Sequence, residues 1–163
     1  MVIVCRNQWQ DIAELTTDFD PALPPTLCAP SHLNELMLNL LTNAAQAITE
    51  AIENGSISRG TIAVSTHRRE NEAEIRICDT GCGIPEEIRA HVFDPFFTTR
   101  DVGKGAGQGL AVAHAIVVEK HGGSIAFDTE IGRGTTFLVR LPLAENGLLL
   151  TENSNAACCL SGG

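Results

Sequence analysis

The stretch LNELMLNLLTNAAQAITEAI, residues 33–52, constrains the fold more than any other part of the chain. Its apolar residues recur every three or four positions, which places them on one side of an α-helix. They are Leu33, Leu36, Met37, Leu40, Leu41, Ala44, Ala45, Ile48 and Ile52. Ser31, just after Pro30, is the expected N-cap. The sequence therefore predicts a long amphipathic helix that ends near the loop 54–60.

In the segments around this helix, apolar and polar residues follow patterns that are typical of strands and of one further helix. The predicted strands are Ile12–Phe19, Thr61–His67, Ala73–Asp79, Ser124–Glu130 and Thr135–Leu141, the last four forming two hairpins, and Gly109–Lys120 is the second helix. We expect an α/β fold, a two-layer sandwich whose mixed, mainly antiparallel sheet is covered on one face by helices. The segment 81–109 is too long for an ordinary connection, which favours a functional lid.

Length and composition limit the possibilities further. At 163 residues with 44% hydrophobic and 19% charged residues, the chain fits one domain, expected at 1–144, followed by a disordered tail at 145–163. A net charge of −9 disfavours nucleic-acid binding. With no apolar run long enough to span a bilayer and no signal peptide, we expect a cytoplasmic location without direct membrane contact, either free or as part of a membrane-bound sensor.

Two groups of polar residues are candidate nucleotide ligands. Glu35, Asn39 and Asn43 lie four positions apart on one helix edge, where an asparagine oxygen could complete a Mg²⁺ shell, although a solvated edge has the same spacing. Asp79 ends a strand and is followed by Gly81 and Gly83, which would let a flat ligand approach the backbone. A carboxylate there would accept from the exocyclic amine of adenine, but the motif alone is also an ordinary turn.

A glycine run, GKGAGQG at 103–109, leads directly into the second predicted helix. Its free backbone N–H groups and Lys104 could converge on phosphates, although a flexible linker has similar composition. Neither a P-loop nor a dinucleotide fingerprint fits, because the glycine spacing differs and no βαβ unit surrounds the run. A different nucleotide-binding fold is therefore required.

Five motifs follow one another along the chain: ELMLNLLTNAAQA (35–47), DTGCGIP (79–85), FDPFFTTR (93–100), GKGAGQGL (103–110) and GRGTTF (132–137). In order and spacing they resemble the asparagine, first glycine, phenylalanine, second glycine and third glycine boxes of bacterial sensor histidine kinases. The resemblance spans about Phe19 to Pro142, and five motifs in one order are far more specific than any one of them. It implies an ATP-binding catalytic domain that uses ATP and Mg²⁺.

The resemblance also implies roles for individual residues. Asn43 would be the Mg²⁺ ligand and, with Asn39 and Lys104, would form the catalytic set, while Asp79 would bind the adenine amine. The implied ATP-binding residues are Asn43, Asp79, Gly81, Gly83, Ile84, Arg100, Lys104, Gly105, Gly107, Gln108, Gly109, Leu110 and Thr135. Phe93, Phe96 and Phe97 would anchor the lid and contact a helical partner. The chain departs from the family pattern at Cys82, a conceivable redox handle, and at Ala106 and Gln108.

The same resemblance predicts the partners. The γ-phosphate would pass to a histidine on a dimerisation and phosphoacceptor domain, with a response regulator downstream. Upstream of Phe19 we find no helical hairpin carrying such a histidine, so we expect a fragment or truncated product that is inactive in autophosphorylation without that domain.

Two other classes of function are compatible with these motifs. ATP hydrolases of the same superfold, such as gyrase, have a glutamate base four residues before the Mg²⁺ asparagine, where this chain has Asn39. An asparagine cannot act as a general base, which favours the kinase. A non-catalytic interaction module, or a serine kinase of the anti-sigma type, is the third alternative.

Overall fold

The computed structural model describes residues 9–97, 108–144 and the strand Ala157–Cys158. The strands are β1 (Ala13–Phe19), β2 (Thr26–Leu27), β3 (Gly60–Arg69), β4 (Glu72–Asp79), β5 (Ser124–Glu130), β6 (Gly134–Pro142) and β7 (Ala157–Cys158). The helical segments are α1 (Pro30–Glu53), a 3₁₀ helix (Glu86–His91), α2 (Gly109–His114) and a π-helical segment (Ala115–Lys120). Within these described residues, no helix has the length and apolar character needed to cross a membrane.

Five strands form the main sheet in the order β1-β3-β4-β6-β5. β1 and β3 run parallel and are connected through α1, while the other three pairs are antiparallel. Both predicted hairpins are present, with strands one or two residues longer than expected at some ends. The prediction of a mixed, mainly antiparallel sheet in an α/β fold is confirmed.

The long helix α1 forms where the apolar stripe predicts it. Leu33, Leu36, Leu40 and Ile48 are among its buried residues. Its start differs from the prediction, because the helix begins at Pro30 with Ala29 as its N-cap, and no described side chain caps it. Proline is well suited to the first helical position, since its missing N–H would have no intrahelical partner there. Ser31 is therefore inside the helix, and its prediction as N-cap was wrong.

The core lies between α1 and one face of the sheet. Every second residue of the central strands points to this face, as the period of a strand requires. These buried residues are Ile62 and Val64 on β3, Ile75 and Ile77 on β4, and Phe137, Val139 and Leu141 on β6. Trp9, just before β1, is 2% exposed and packs into the same cluster. The helices α1 and α2 thus cover one face, as predicted.

The opposite face of the sheet carries a buried carboxylate. Glu74 on β4 is fully buried although α1 packs on the other side of that strand. Arg76 donates to one of its oxygens at 2.8 Å and Arg140 to the other at 3.2 Å, while Arg69 lies 3.5 Å away. Burial raises the pKa of Glu74, but the hydrogen bonds and charges of these arginines outweigh it and hold the pKa below its usual range. The arginines therefore make the burial of this charge tolerable.

The second helix covers the predicted range but not with uniform geometry. Its α-helical part is Gly109–His114, and Ala115–Lys120 continues as a π-helix. Gly122, with a φ of 63°, follows its end. In the tail, β7 pairs antiparallel with β2. The other residues of 145–163 lie outside the described residues, so the disordered tail stays a prediction.

Candidate functional site

One cavity of about 920 Å³ lies between α1, the loop after β4, the turn between β5 and β6, and the start of α2. Eight of the predicted site residues line it: Asn39, Asn43, Gly83, Ile84, Gln108, Gly109, Leu110 and Thr135. These residues come from four separate parts of the sequence. The fold therefore brings most of the predicted ligands together around one space.

The α1 wall of the cavity is a polar row. Asn39, Asn43, Gln46 and Glu50 lie three or four residues apart and all line the cavity. The predicted row instead began at Glu35, which is not among the described lining residues. The helical spacing of Gln46 and Glu50 after Asn43 was the signal that could have found them.

Asp79 lies at the end of β4, beside the cavity floor, and is 2% exposed. One of its carboxylate oxygens accepts a hydrogen bond from the Gly81 amide at 2.8 Å, and the Thr135 amide also donates to the carboxylate. Burial raises the pKa of Asp79 to about 6, and these two backbone hydrogen bonds only partly oppose the rise. Thr135, its partner on β6, is 4% exposed and lines the cavity, whereas Asp79 and Gly81 are not among the described lining residues.

The loop after β4 is held tightly between α1 and the β5–β6 turn. A Cβ at Gly81 would lie 2.6 Å from the carbonyl carbon of Ala47 on α1, so only glycine fits there. The Cys82 amide donates to the Ala47 carbonyl at 3.2 Å, and the Gly132 amide donates to the Cys82 carbonyl at 2.9 Å. Gly83 adopts a φ of 78°, which favours glycine. The structure thus requires these glycines for packing, which differs from the predicted reason, the approach of a flat ligand.

Cys82 lines the cavity next to Glu50, which accepts a hydrogen bond from its Sγ at 3.4 Å. Burial, followed by the nearby Glu50 carboxylate, raises the pKa of the Cys82 thiol to about 11. A thiol with that pKa is protonated at neutral pH and reacts slowly with oxidants. The geometry therefore does not favour a redox role for Cys82.

The second glycine motif is described only at its end. A Cβ at Gly109 would lie 3.4 Å from the side-chain oxygen of Asn39, so the start of α2 directly faces α1. Gln108 and Leu110 line the cavity beside it. The remaining predicted ligands of this region, Arg100, Lys104, Gly105 and Gly107, lie outside the described residues, as does the segment 98–107 of the predicted lid.

The aromatic residues before this gap divide into two environments. Phe93 packs edge to face against Phe127 and Phe137 of the sheet, with ring centroids 5.9 and 6.5 Å away. Phe96 is 72% exposed and has a φ of 63°, and Phe97 lines the cavity. Phe93 therefore anchors this segment to the core, while Phe96 presents its ring to the outside.

The donor set of the cavity suits a metal that is bound together with phosphates. No group of three or more His, Cys, Asp or Glu residues in the described part of the chain could hold a metal ion by itself. The amide oxygens of Asn39 and Asn43 are neutral oxygen donors on one wall of the cavity. Mg²⁺ accepts such ligands when phosphate oxygens and waters complete its shell.

Comparison with known proteins places the chain in a family. A family model described as histidine kinase-, DNA gyrase B- and HSP90-like ATPase matches residues 28–145. The chain belongs to this ATPase family. The matched range contains all of the predicted site residues.

Similar proteins in this family include sensor kinases. The sensor kinase CckA of Brucella abortus is 34% identical over 148 residues, which cover 86% of this chain and 15% of CckA. The histidine kinase/phosphatase NtrB of Rhizobium meliloti is also 34% identical and is covered to 38%. The structure of the mycobacterial sensor histidine kinase MprB matches with a TM-score of 0.70 at 29% identity, covering 86% of this chain and 88% of that one.

These matches confirm the predicted resemblance to the catalytic domain of sensor histidine kinases and the predicted fold. The chain spans well under half the length of these two curated relatives. The roles assigned to single residues stay predictions.

Proposed function

We propose that this domain binds Mg²⁺-ATP and donates the γ-phosphate to a histidine on a separate dimerisation and phosphoacceptor domain, in two-component signal transduction. The observation that supports this most is the convergence of Asn39, Asn43, Thr135 and the start of α2 on one cavity, with Asp79 next to Thr135 in the sheet. A response regulator would receive the phosphoryl group downstream. The domain would act in the cytoplasm, free or as part of a membrane-bound sensor.

The adenine would bind at the end of the cavity formed by Asp79, Thr135 and the glycine loop. An ionised Asp79 carboxylate can only accept hydrogen bonds, and an exocyclic amine offers the matching donors. Gly81 and Gly83 let this loop pack closely against α1 and the β5–β6 turn, which would hold the backbone beside the base in place.

The phosphates would lie toward Asn39, Asn43 and the amides at the start of α2. Mg²⁺ would be held by Asn43 together with phosphate oxygens, and it would neutralise charge that develops on the transferred phosphoryl group. Lys104 and the amides of Gly105 and Gly107 are proposed to contact the phosphates as well. Phosphoryl transfer depends mainly on such positioning and charge neutralisation.

A kinase fits the cavity better than an ATP hydrolase does. A hydrolase needs a carboxylate near the γ-phosphate to orient or deprotonate water. Glu50, on the cavity wall, is seven residues from Asn43, roughly 10 Å along the helix axis, toward the end that is assigned to the adenine. Asn39, at the metal end, has no basic group.

Two measurements test this proposal together. Calorimetry should detect ATP binding that is stronger with Mg²⁺ than in chelator. With γ-labelled ATP, the chain alone should show no acid-labile label and no turnover on the order of 1 s⁻¹. Adding the dimeric phosphoacceptor domain of a relative should produce acid-labile label on that domain's histidine, and replacing this histidine with glutamine should abolish it. Rapid hydrolysis by the chain alone would favour the hydrolase instead.

A further inference from the structure

Three polar residues form one row across the inner face of the sheet, and the middle one, Thr135, lines the cavity. In the strand register, Asp79 on β4 lies opposite Thr135 on β6, and Thr135 lies opposite Thr129 on β5. Asp79 and Thr135 are already assigned to the adenine end of the cavity. Thr129, which is half-buried behind them, has no role in the proposed function so far.

The Thr129 hydroxyl makes three hydrogen-bond contacts. The Ile84 amide, in the loop after β4, donates to it at 2.9 Å. The Gly134 carbonyl lies 3.1 Å away and the Thr135 hydroxyl lies 3.0 Å away. Thr129 thus connects the glycine loop to the β5–β6 hairpin through one oxygen atom.

Counting hydrogens fixes the direction of these bonds. A hydroxyl has one hydrogen and two lone pairs, and a carbonyl can only accept. If Thr129 donates to the Gly134 carbonyl, its lone pairs accept from the Ile84 amide and from the Thr135 hydroxyl. This arrangement satisfies all three contacts at once, which a buried polar network favours. Thr135 has then used its hydrogen and presents only lone pairs to the cavity.

We infer that Thr129 is a specificity-determining positioning residue, which fixes the Thr135 hydroxyl as an acceptor and so selects a 6-aminopurine nucleotide. This inference rests on the proposed function. With Thr135 and the Asp79 carboxylate both accepting, this pair of residues matches the two N–H groups of an exocyclic amine. A 6-oxopurine would place a carbonyl oxygen against two acceptors, which leaves polar groups unpaired. Without Thr129, the Thr135 hydroxyl is free to turn its hydrogen toward such a carbonyl.

The test compares the affinities for ATP and inosine triphosphate in Thr129→Val, Thr129→Ala and Thr129→Ser, after circular dichroism has confirmed the fold. In Thr129→Val and Thr129→Ala the Thr135 hydroxyl can donate as well as accept, so the preference for ATP over inosine triphosphate should fall about tenfold. Thr129→Ser keeps the hydroxyl and should keep the wild-type preference. Alanine is included because it creates no steric conflict if valine disturbs the hairpin.

The outcomes separate the possibilities. An equal loss of affinity for both nucleotides would mean that Thr129 only supports the structure, and this would overturn the inference. An unchanged preference in both hydroxyl-free variants would overturn it as well. If the wild-type chain bound neither nucleotide, the proposed function itself would fail. If the wild type bound ATP and the variants kept its preference, only the inference about Thr129 would fail.

Discussion

Asp79→Asn should weaken ATP binding without destabilising the domain, because the carboxylate opposes folding at neutral pH. Its pKa rises from 3.8 to about 6 on folding, mainly through burial. Each pKa unit corresponds to ~1.4 kcal/mol, so keeping Asp79 ionised above pH 6 costs about 3 kcal/mol of folding free energy. Asparagine removes this cost and retains one acceptor oxygen.

The substitution also carries a cost in folding free energy, because asparagine brings a donor next to existing donors. The amides of Gly81 and Thr135 donate to the carboxylate, and the NH₂ group of asparagine would have no acceptor if it faced one of them. Such an unsatisfied buried donor costs about 1–3 kcal/mol. We therefore expect Asp79→Asn to be as stable as the wild type at pH 7.5, or more stable by up to about 2 kcal/mol.

The stabilities of the wild type and of Asp79→Asn should also depend differently on pH. The folded state binds the Asp79 proton more tightly than the unfolded state, so wild-type stability should rise from this group as the pH falls from about 6 toward 4. The variant should lack this rise. Urea unfolding followed by circular dichroism at pH 7.5 and 5 measures both values, and calorimetry measures the accompanying loss of ATP affinity. Asp128→Asn, at an exposed position on β5, is the matched control.

A marked loss of stability in Asp79→Asn at pH 7.5, with the pH dependence of the wild type retained, would refute this account. Unchanged ATP affinity would refute the adenine assignment, whatever the stability.

Three further predictions concern other parts of the domain. Asn43→Ala should remove the Mg²⁺-dependent part of ATP affinity and leave binding in chelator unchanged, as measured by calorimetry. The control Asn34→Ala, at an exposed position on the same helix, should change neither affinity. Glu74→Gln should lower the free energy of unfolding by about 2 kcal/mol at pH 7, a value reduced for the partial exposure of Arg76 and Arg140. Because folding lowers the pKa of Glu74, the ionised carboxylate stabilises the folded state above the ordinary value of 4.5. This stabilisation is lost as the pH falls below that value, so the free energies of unfolding of wild type and variant, measured in urea, should converge at low pH. Lys104→Ala should reduce affinity for ATP much more than affinity for adenosine, since only the phosphates need a cation, and equal losses would contradict the phosphate assignment.

The parts of the fold that depend on local periodicity could be predicted from the sequence. The apolar stripe of α1 and the alternation of β4 and β6 each follow from a helix or strand with one buried face. The order of the five motifs predicted eight of the residues that line the cavity, which lie on α1, in the loop after β4, at the start of α2 and at the start of β6.

The parts that depend on contacts between distant residues could not be predicted. Glu74 occupies a position that the strand period assigns to the open face, and its burial depends on Arg140, which is 66 residues away. The link from Thr129 to Ile84 joins positions 45 residues apart and follows from strand register. At the start of α1, Pro30 took the first helical position, which overrode the side-chain cap expected at Ser31.

The burial of Trp9 has a practical optical consequence. The chain contains one tryptophan and no tyrosine, so nearly all of its near-ultraviolet absorption and emission comes from this single indole. In the described structure the ring lies in the core, is not among the residues that line the cavity, and has a buried ring nitrogen without a hydrogen-bond partner. Its emission should therefore be blue-shifted in the native state and move to the red when the core opens to water. Nucleotide binding should leave the native emission spectrum almost unchanged. Trp9 fluorescence should therefore report unfolding of the core and not occupation of the cavity.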